Sequence, residues 1–235
     1  NRNLKNVMWG AEIIADQSGI YASFFSHMDA SADRYARSSR KCAYKWLYDL
    51  VPATDARKAW WNGATDGGTN VTKPYNQVKF RYSNVASDLG DYIFMRAEEM
   101  LLVKAEALAN DDKLQDAKTA VSTLMSLRNP TGYQAILDAM TMSKAHTMGS
   151  VGTPTTLMDQ IILQRRIELW GEAERIFDIQ RLKMGFDRNA PGSNHSFKPT
   201  FNTLEIASKE FILTIPQKEF DGNPNMNATT DQNPL

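Results

Sequence analysis

Residues 161–181 have the sequence IILQRRIELWGEAERIFDIQR, and this stretch constrains the fold more than any other. Apolar residues recur every three or four positions from Leu157 onward and continue past Gly171. This spacing predicts one long amphipathic helix. Thr156 and Asp159 have the spacing of a capping box, so the helix should begin directly after Thr156.

The charged residues of this stretch stand mostly three or four positions apart, a spacing at which carboxylates and guanidinium groups pair on a helix surface. They are Arg165, Arg166, Glu168, Glu172, Arg175, Asp178 and Arg181. We expect a structural network of ion pairs that fixes the helix against its neighbours. The alternative is a glycoside hydrolase in which Glu168 and Glu172 act as the acid and the nucleophile or base. The adjacent arginines disfavour that alternative because they would keep both carboxylates ionised.

Two shorter helical patterns precede this stretch. Apolar residues at three- and four-residue spacings run from Ile93 to Leu108 and again from Leu114 to Leu127, with the polar turn 110–112 between them. Two helices joined by a tight turn form an antiparallel αα-hairpin, the unit of tetratricopeptide-like arrays. The sequence therefore predicts such a hairpin directly before the long helix.

The first ninety residues differ from the rest of the chain. Alternating apolar residues predict short strands at 7–13 and 78–82, and a long loop rich in aromatic side chains lies between them. The sequence as a whole predicts a mainly α protein with long loops and a few short strands. We interpret residues 1–235 as one domain, in which a loop-rich aromatic region (1–90) precedes a helical core with an extended C-terminal tail (91–235).

Composition limits the classes of function. Lys and Arg number 27 and balance 27 Asp and Glu, so nothing indicates nucleic-acid binding. Cys42 is the single cysteine, which excludes an internal disulfide and a cysteine-cluster metal site. His27, His146 and His195 lack metal-ligand spacing, and we predict neither a metal nor a cofactor. No apolar run is long enough to cross a membrane as a helix. The start at Asn1 suggests a fragment without its signal peptide.

Several ordered blocks resemble those of the SusD/RagB family. Residues 161–181 are similar to the family's signature helix, and residues 94–107 (FMRAEEMLLVKAEA) to an earlier helix. The family's ending is matched by LTIPQKE at 213–219, NPN at 223–225 and DQNP at 231–234. VMWG at 7–10 and DAR at 55–57 match more weakly. The departures from the family pattern are Gln164, Ala173 and Leu235.

The resemblance implies a SusD-like fold and a function. Such proteins bind glycans or oligosaccharides, starch among them, at the bacterial cell surface without cleaving them. They pass the captured nutrient to a SusC-like TonB-dependent transporter in the outer membrane. They are lipoproteins, so contact with the membrane would be made only through a lipid anchor outside this chain. They are also longer than this chain, which corresponds to their C-terminal portion.

Aromatic side chains are the candidates for sugar binding, because an exposed ring offers a rigid apolar surface to the C–H face of a sugar. The candidates in the early loops are Tyr21, Phe24, Phe25, Tyr35, Trp60 and Trp61. We expect Trp9, Trp46 and Trp170 to lie in the core, since they stand in or beside periodic segments. A further alternative is a protein-binding scaffold that uses the hairpin at 93–129.

Overall fold

The computed structural model describes residues 3–18, 22–65, 73–149, 151–172, 175–194 and 213–233. Within these ranges the fold is mainly α with one two-stranded sheet, as the sequence predicts. In chain order, the strands and α-helices are β1 (Val7–Ala11), α1 (Phe24–Met28), α2 (Tyr35–Ser38), α3 (Lys45–Leu50), β2 (Tyr92–Arg96), α4 (Ala97–Asn110), α5 (Leu114–Arg128), α6 (Tyr133–Asp138), α7 (Leu157–Glu168), α8 (Arg175–Arg181) and α9 (Gln217–Gly222). Short 3-10 helices cover Ala15–Gln17 and Ala56–Trp60.

The predicted hairpin is present and forms the main core with α7. Small residues such as Ala105 and Ala109 on α4 allow close packing against Val121 and Leu124 of α5, and all four are fully buried. Ile161 of α7 completes the same apolar cluster. Burial of this interface supplies most of the stability of the helices, because helices of this length are marginal when isolated.

The segment before α4 is a strand, whereas the apolar spacing predicted a helix from Ile93 onward. Residues 92–96 pair with β1 in an antiparallel ladder, with Ala11 opposite Tyr92 and Gly10 opposite Ile93. The ladder becomes irregular on both sides of Trp9. Aromatic and β-branched residues favour a strand once a partner strand is available, and that partner lies some eighty residues earlier in the chain.

The strand predicted at 78–82 is not formed. Within the described part of this region, ladder contacts are isolated bridges such as Cys42 with Asn76 and Trp61 with Gln77. The Gln77 side chain explains the difference: its Oε1 accepts from the Phe80 backbone N–H at 2.8 Å, and its Nε2 donates to the Phe80 carbonyl at 3.2 Å. These local bonds close a turn that competes with an extended conformation.

The long helix predicted from 157 to 182 is divided into α7 and α8. Its start is as predicted, since Thr156 and Asp159 form a reciprocal capping box. The predicted continuation past Gly171 is wrong, because α7 ends at Glu168. Gly171 has φ +79°, a left-handed conformation that glycine adopts without strain. A Cβ on Gly171 would also lie 2.6 Å from the Phe80 ring. The chain therefore turns at Gly171, directly after α7.

The C-terminal tail contains the short helix α9, which its Asn- and Pro-rich sequence did not predict. The Gln232 side chain bonds both backbone groups of Ile215, at 2.8 and 3.0 Å. Asn233 donates to the Leu213 carbonyl at 2.7 Å. These bonds connect residues 213–215, before α9, to residues 232–233, after it. No helix in the described ranges is long and apolar enough to span a membrane.

Candidate functional site

A buried cluster of ion pairs, which we call the charge junction, lies where α7 ends. Its centre is Glu168, whose side chain is fully buried. Arg128 Nη2 donates to Glu168 Oε1 at 2.7 Å, and Arg96 Nη1 donates to the same oxygen at 3.0 Å. Arg57 Nη1 reaches Glu168 Oε2 at 3.3 Å. One carboxylate therefore receives three guanidinium groups.

The three arginines come from separate elements that fold around Glu168. Arg57 lies on the second 3-10 helix, Arg96 is the last residue of β2 and Arg128 is the last residue of α5. Asp55 Oδ2 accepts from Arg57 Nη2 at 2.7 Å and so orients that side chain. The junction thus connects the early loops, the sheet and the hairpin to α7.

Glu172 extends the junction beyond the Gly171 turn. Its carboxylate accepts from Arg96 Nη2 at 2.7 Å and from Arg96 Nε at 3.0 Å, and it pairs with Lys79. Lys79 Nζ also donates to the Glu168 carbonyl at 2.7 Å and to the Trp170 carbonyl at 3.1 Å. These carbonyls lie at the C-terminal end of α7, where no intrahelical donor remains.

A second group of ion pairs fixes α8. Asp178 accepts from Arg165 of α7 at 3.3 Å and from Arg181 at 2.7 Å, and Arg181 also pairs with Glu106 of α4. Arg166 lies over the Trp46 ring, 4.4 Å from its centroid. Arg165, Asp178 and Arg181 therefore belong to this second group, Glu168 and Glu172 belong to the charge junction, and several of their partners lie outside the stretch. Helical spacing alone could not find those partners.

The pKa of Glu168 follows from this geometry. Burial alone would raise the pKa of the Glu168 carboxyl, but the hydrogen bonds and charge of Arg128, with the charges of Arg57 and Arg96, hold it below its ordinary value. Burial lowers the pKa of Lys79 to about 8, with Glu172 opposing the shift. Glu168 is thus ionised and closed to solvent. A glycosidase acid must be protonated and must reach the substrate, so Glu168 does not fit that role.

The largest exposed aromatic surface of the sheet, which we call the aromatic platform, consists of Trp9, Phe94 and Tyr92. Trp9 is 63% exposed and Phe94 is 53% exposed, with ring centroids 4.9 Å apart and planes inclined at 49°. Phe94 stacks on Tyr92 at 6.3 Å and 11°. The prediction that Trp9 lies in the core is wrong, because the irregular pairing on both sides of Trp9 turns its side chain to solvent.

The platform rests on two of the predicted loop aromatics. Tyr92 packs against Phe24 and Phe25, with centroid distances of 6.3 and 6.0 Å. Phe25 is buried, and a Cβ on Gly90 would lie 2.5 Å from its ring, so glycine is needed there for the ring to pack. Phe24 and Phe25 therefore brace the platform from beneath and hold its exposed rings in place.

The other predicted aromatics lie elsewhere. Trp61 is buried and meets Trp170 at 5.7 Å, edge to face. Trp60 is half-buried, with Lys79 Nζ 4.5 Å from its ring centroid. Tyr35 is exposed and stacks on His27 at 4.9 Å. Tyr21 lies outside the described residues. The predicted binding role of these side chains stays a prediction. Among those that the structure describes, Tyr35 is the one whose ring is exposed to an extent comparable to the platform.

Within the described ranges, no group of three or more His, Cys, Asp or Glu side chains is arranged to hold a metal ion. The polar groups of the junction are paired with each other, and the rings of the platform face solvent. The arrangement therefore offers a closed electrostatic scaffold and, beside it, an open apolar surface.

Comparison with known proteins agrees with the motifs. A sequence model of the SusD family matches residues 20–235. The chain is 30% identical over 161 residues to the SusD-like protein P2 of Formosa agariphila, a match covering 66% of this chain and 30% of that protein. It is also similar to a solved SusD-like carbohydrate binding protein from Bacteroides vulgatus, with TM-score 0.71 and 25% identity over 96% of this chain and 49% of the other.

A second solved structure supports the fold alone. A SusD superfamily protein from Bacteroides thetaiotaomicron superposes with TM-score 0.67 at 17% identity, covering 98% of this chain and 49% of that one. The chain therefore spans about half the length of the solved structures that it matches.

Proposed function

Because the chain belongs to the SusD family, we propose that it is part of a protein that binds glycans at the bacterial cell surface without cleaving them. The B. vulgatus protein, described as carbohydrate binding, supports this proposal at 25% identity. In the same proposal, the protein is held in the outer membrane by a lipid anchor outside this chain. It delivers its ligand to a SusC-like TonB-dependent transporter.

The observation that carries the proposal is the exposed aromatic platform. Trp9 and Phe94 present two inclined rings, which suits the two apolar C–H faces of adjacent sugar units. Tyr92 packs on the buried Phe25 ring and stacks on Phe94, so Phe94 is already restrained and little of its side-chain entropy is lost on binding.

The absence of catalysis is the second part of the proposal. The hydrolase alternative needs Glu168 as a proton donor or nucleophile, and this carboxylate is buried and shared by three arginines. Glu172 is more exposed, but it is paired with Arg96 and Lys79. Paired carboxylates of this kind position helices, and capture followed by delivery requires no covalent step.

Affinity electrophoresis against a panel of soluble polysaccharides tests the proposal. We expect at least one glycan to retard the protein, and Trp9→Ala and Phe94→Ala each to weaken the retardation at least tenfold. Phe177→Ala is the matched control, because Phe177 is a 60% exposed ring on α8, outside the sheet. It should leave retardation unchanged.

The same assay includes a test for hydrolysis. Reducing ends should not appear when the protein is incubated with the retarding glycan. Their appearance with the folded, unchanged protein would contradict non-catalytic capture. Retardation that survives both platform substitutions would place the sugar site elsewhere and would remove the platform from the proposal.

A further inference from the structure

Two side chains of the kind that bind soft metal ions, His146 and Met184, meet beside the first turn of α7 and belong neither to the charge junction nor to the aromatic platform. His146 Nε2 lies 3.4 Å from Met184 Sδ. His146 stands in the loop between α6 and α7, and Met184 follows α8, so the two residues are 38 positions apart. The spacing of the histidines predicted no metal site, and it could not have found a sulfur ligand so far along the chain.

The other ring nitrogen of His146 is fixed by a carboxylate. His146 Nδ1 lies 3.0 Å from Asp159 Oδ1, and the Asp159 side chain is fully buried. Burial alone would raise the pKa of the Asp159 carboxyl, but hydrogen bonds from Thr147 and Met148 hold it well below its ordinary value. Asp159 is therefore ionised and can only accept, so Nδ1 carries a hydrogen and donates.

This hydrogen bond decides what Nε2 offers to the sulfur. In a neutral imidazole with its hydrogen on Nδ1, the Nε2 atom carries a lone pair. The Met184 thioether is an acceptor as well, so two lone pairs meet with no hydrogen between them. A metal ion would convert this contact into two coordinate bonds. A carboxylate on the second nitrogen is the usual support of a metal-bound histidine.

The separation of the two atoms suits ligands of one ion. Metal–nitrogen and metal–sulfur bonds are about 2.0 and 2.3 Å long in zinc sites. With bonds of this length, ligand atoms 3.4 Å apart subtend an angle of about 100° at the ion, close to the tetrahedral value. The site is also within reach of solvent, because the His146 side chain is 13% exposed and its neighbours Ala145 and Thr147 are exposed.

The ligand types and the nearby charges select the ion. Thioethers bind soft ions and imidazole suits copper and zinc, which leaves Cu(I) and Zn²⁺ as candidates. Arg175 Nη2 lies 3.9 Å from the same sulfur, and its positive charge repels a divalent ion more strongly than a monovalent one. Asp159, on the far side of the imidazole, offsets part of that charge.

From this geometry we infer that His146 and Met184 form a binding site for one soft monovalent metal ion of the Cu(I) type. The bound ion ties the loop before α7 to the segment that follows α8. The inference does not depend on glycan binding, because the site shares no residue with the platform.

Calorimetric titration with Ag(I), which has the charge and the ligand preferences of Cu(I) and is stable in air, tests the inference. The full chain carries Cys42→Ser throughout, because a thiolate would compete for the ion. We expect one tight equivalent of Ag(I), weakened at least tenfold by Met184→Leu and by His146→Gln, and binding of Zn²⁺ at least tenfold weaker than that of Ag(I). Leucine conserves the volume of methionine, so Met184→Leu should fold. Met142→Leu, at a 40% exposed methionine of the same loop, is the matched control and should leave the tight equivalent unchanged.

Nitrogen NMR of the imidazole rings tests the site without a substitution in it. At about pH 8, where an unperturbed imidazole is neutral, His146 should carry its hydrogen on Nδ1. Ag(I) should then shift the His146 Nε2 and the Met184 methyl resonances together. A hydrogen on Nε2, no tight equivalent of Ag(I), full binding by Met184→Leu, or Zn²⁺ bound as tightly as Ag(I) would each overturn the inference. Should His146→Gln not fold, the resonance shifts and Met184→Leu still decide it.

Discussion

The charge junction and the aromatic platform share one strand and differ in almost every physical respect. Along β2, Tyr92 and Phe94 belong to the platform, and Arg96, two residues later, belongs to the junction. Glu168 at the centre of the junction is fully buried, whereas Trp9 on the platform is 63% exposed. One strand therefore contributes residues both to a closed polar cluster and to an open apolar surface, only a few residues apart.

The difference shows where stability and binding can be separated. The Glu168 and Arg57 charges are fully buried, which is tolerated only because their partners are present, so removing one partner leaves uncompensated charge in a low-dielectric site. The rings of the platform already have one face in water, so removing one of them exposes little new surface. Substitutions in the junction should therefore act on folding, and substitutions on the platform should act on ligand binding.

The largest effect is expected from Glu168→Ala. The substitution leaves Arg57, Arg96 and Arg128 without their shared carboxylate, and the free energy of unfolding should fall by about 3–5 kcal/mol. Urea unfolding followed by circular dichroism measures it. Glu219→Ala, on the exposed face of α9, is the control and should change stability by less than about 0.5 kcal/mol. Similar losses in both variants would contradict a junction centred on Glu168.

The pH dependence of stability sharpens the same point. The folded-state pKa of Glu168 is below its unfolded value, chiefly because Arg128, Arg57 and Arg96 outweigh the effect of burial. The stabilisation is therefore complete above the unfolded pKa of about 4.3 and is lost as the pH falls through the folded pKa. The urea midpoint should decrease as the pH falls below about 4.3, and less steeply for Glu168→Gln. Parallel curves would show that Glu168 carries no such linkage.

Gly171→Ala tests the turn that places Glu172 in the junction. The residue has φ +79°, and a Cβ would lie 2.6 Å from Phe80 and 3.1 Å from the Met28 side chain. We expect a loss of about 1–3 kcal/mol in the free energy of unfolding. Gly222→Ala is the control, since nothing lies within 4 Å of its Cβ, and it should be neutral or slightly stabilising. Equal effects at both glycines would contradict a turn that requires glycine at position 171.

Local patterns in the sequence predicted the local parts of the fold. The capping box at Thr156 and the hairpin of α4 and α5 depend on residues within one or two turns of each other, and both are present. The strand at 92–96 and the division of α7 from α8 depend on distant contacts, with β1 and with Phe80. Periodicity within a short window contains no information about those contacts.

The partners of the junction could have been found from a different signal. Arg57 and Arg96 lie in two of the short motifs that resemble the family, and Glu168 lies in a third. The structure brings these three residues to one point. When separate motifs contain residues of opposite charge, those residues are candidates for one shared buried cluster. For Trp9 no comparable signal exists, because irregular strand pairing is set by tertiary contacts.

The smallest effect on stability is expected from Trp9→Ala, and it separates the two regions most directly. Trp9 touches Phe94 across the open face of the sheet, so its removal should change the free energy of unfolding by no more than about 0.5 kcal/mol. Trp61→Ala removes the same side chain from a position that is 3% exposed and should cost about 3–5 kcal/mol. Urea unfolding of both variants gives the comparison. A large loss for Trp9→Ala would mean that the platform is part of the core, and its rings would then not be available to a ligand.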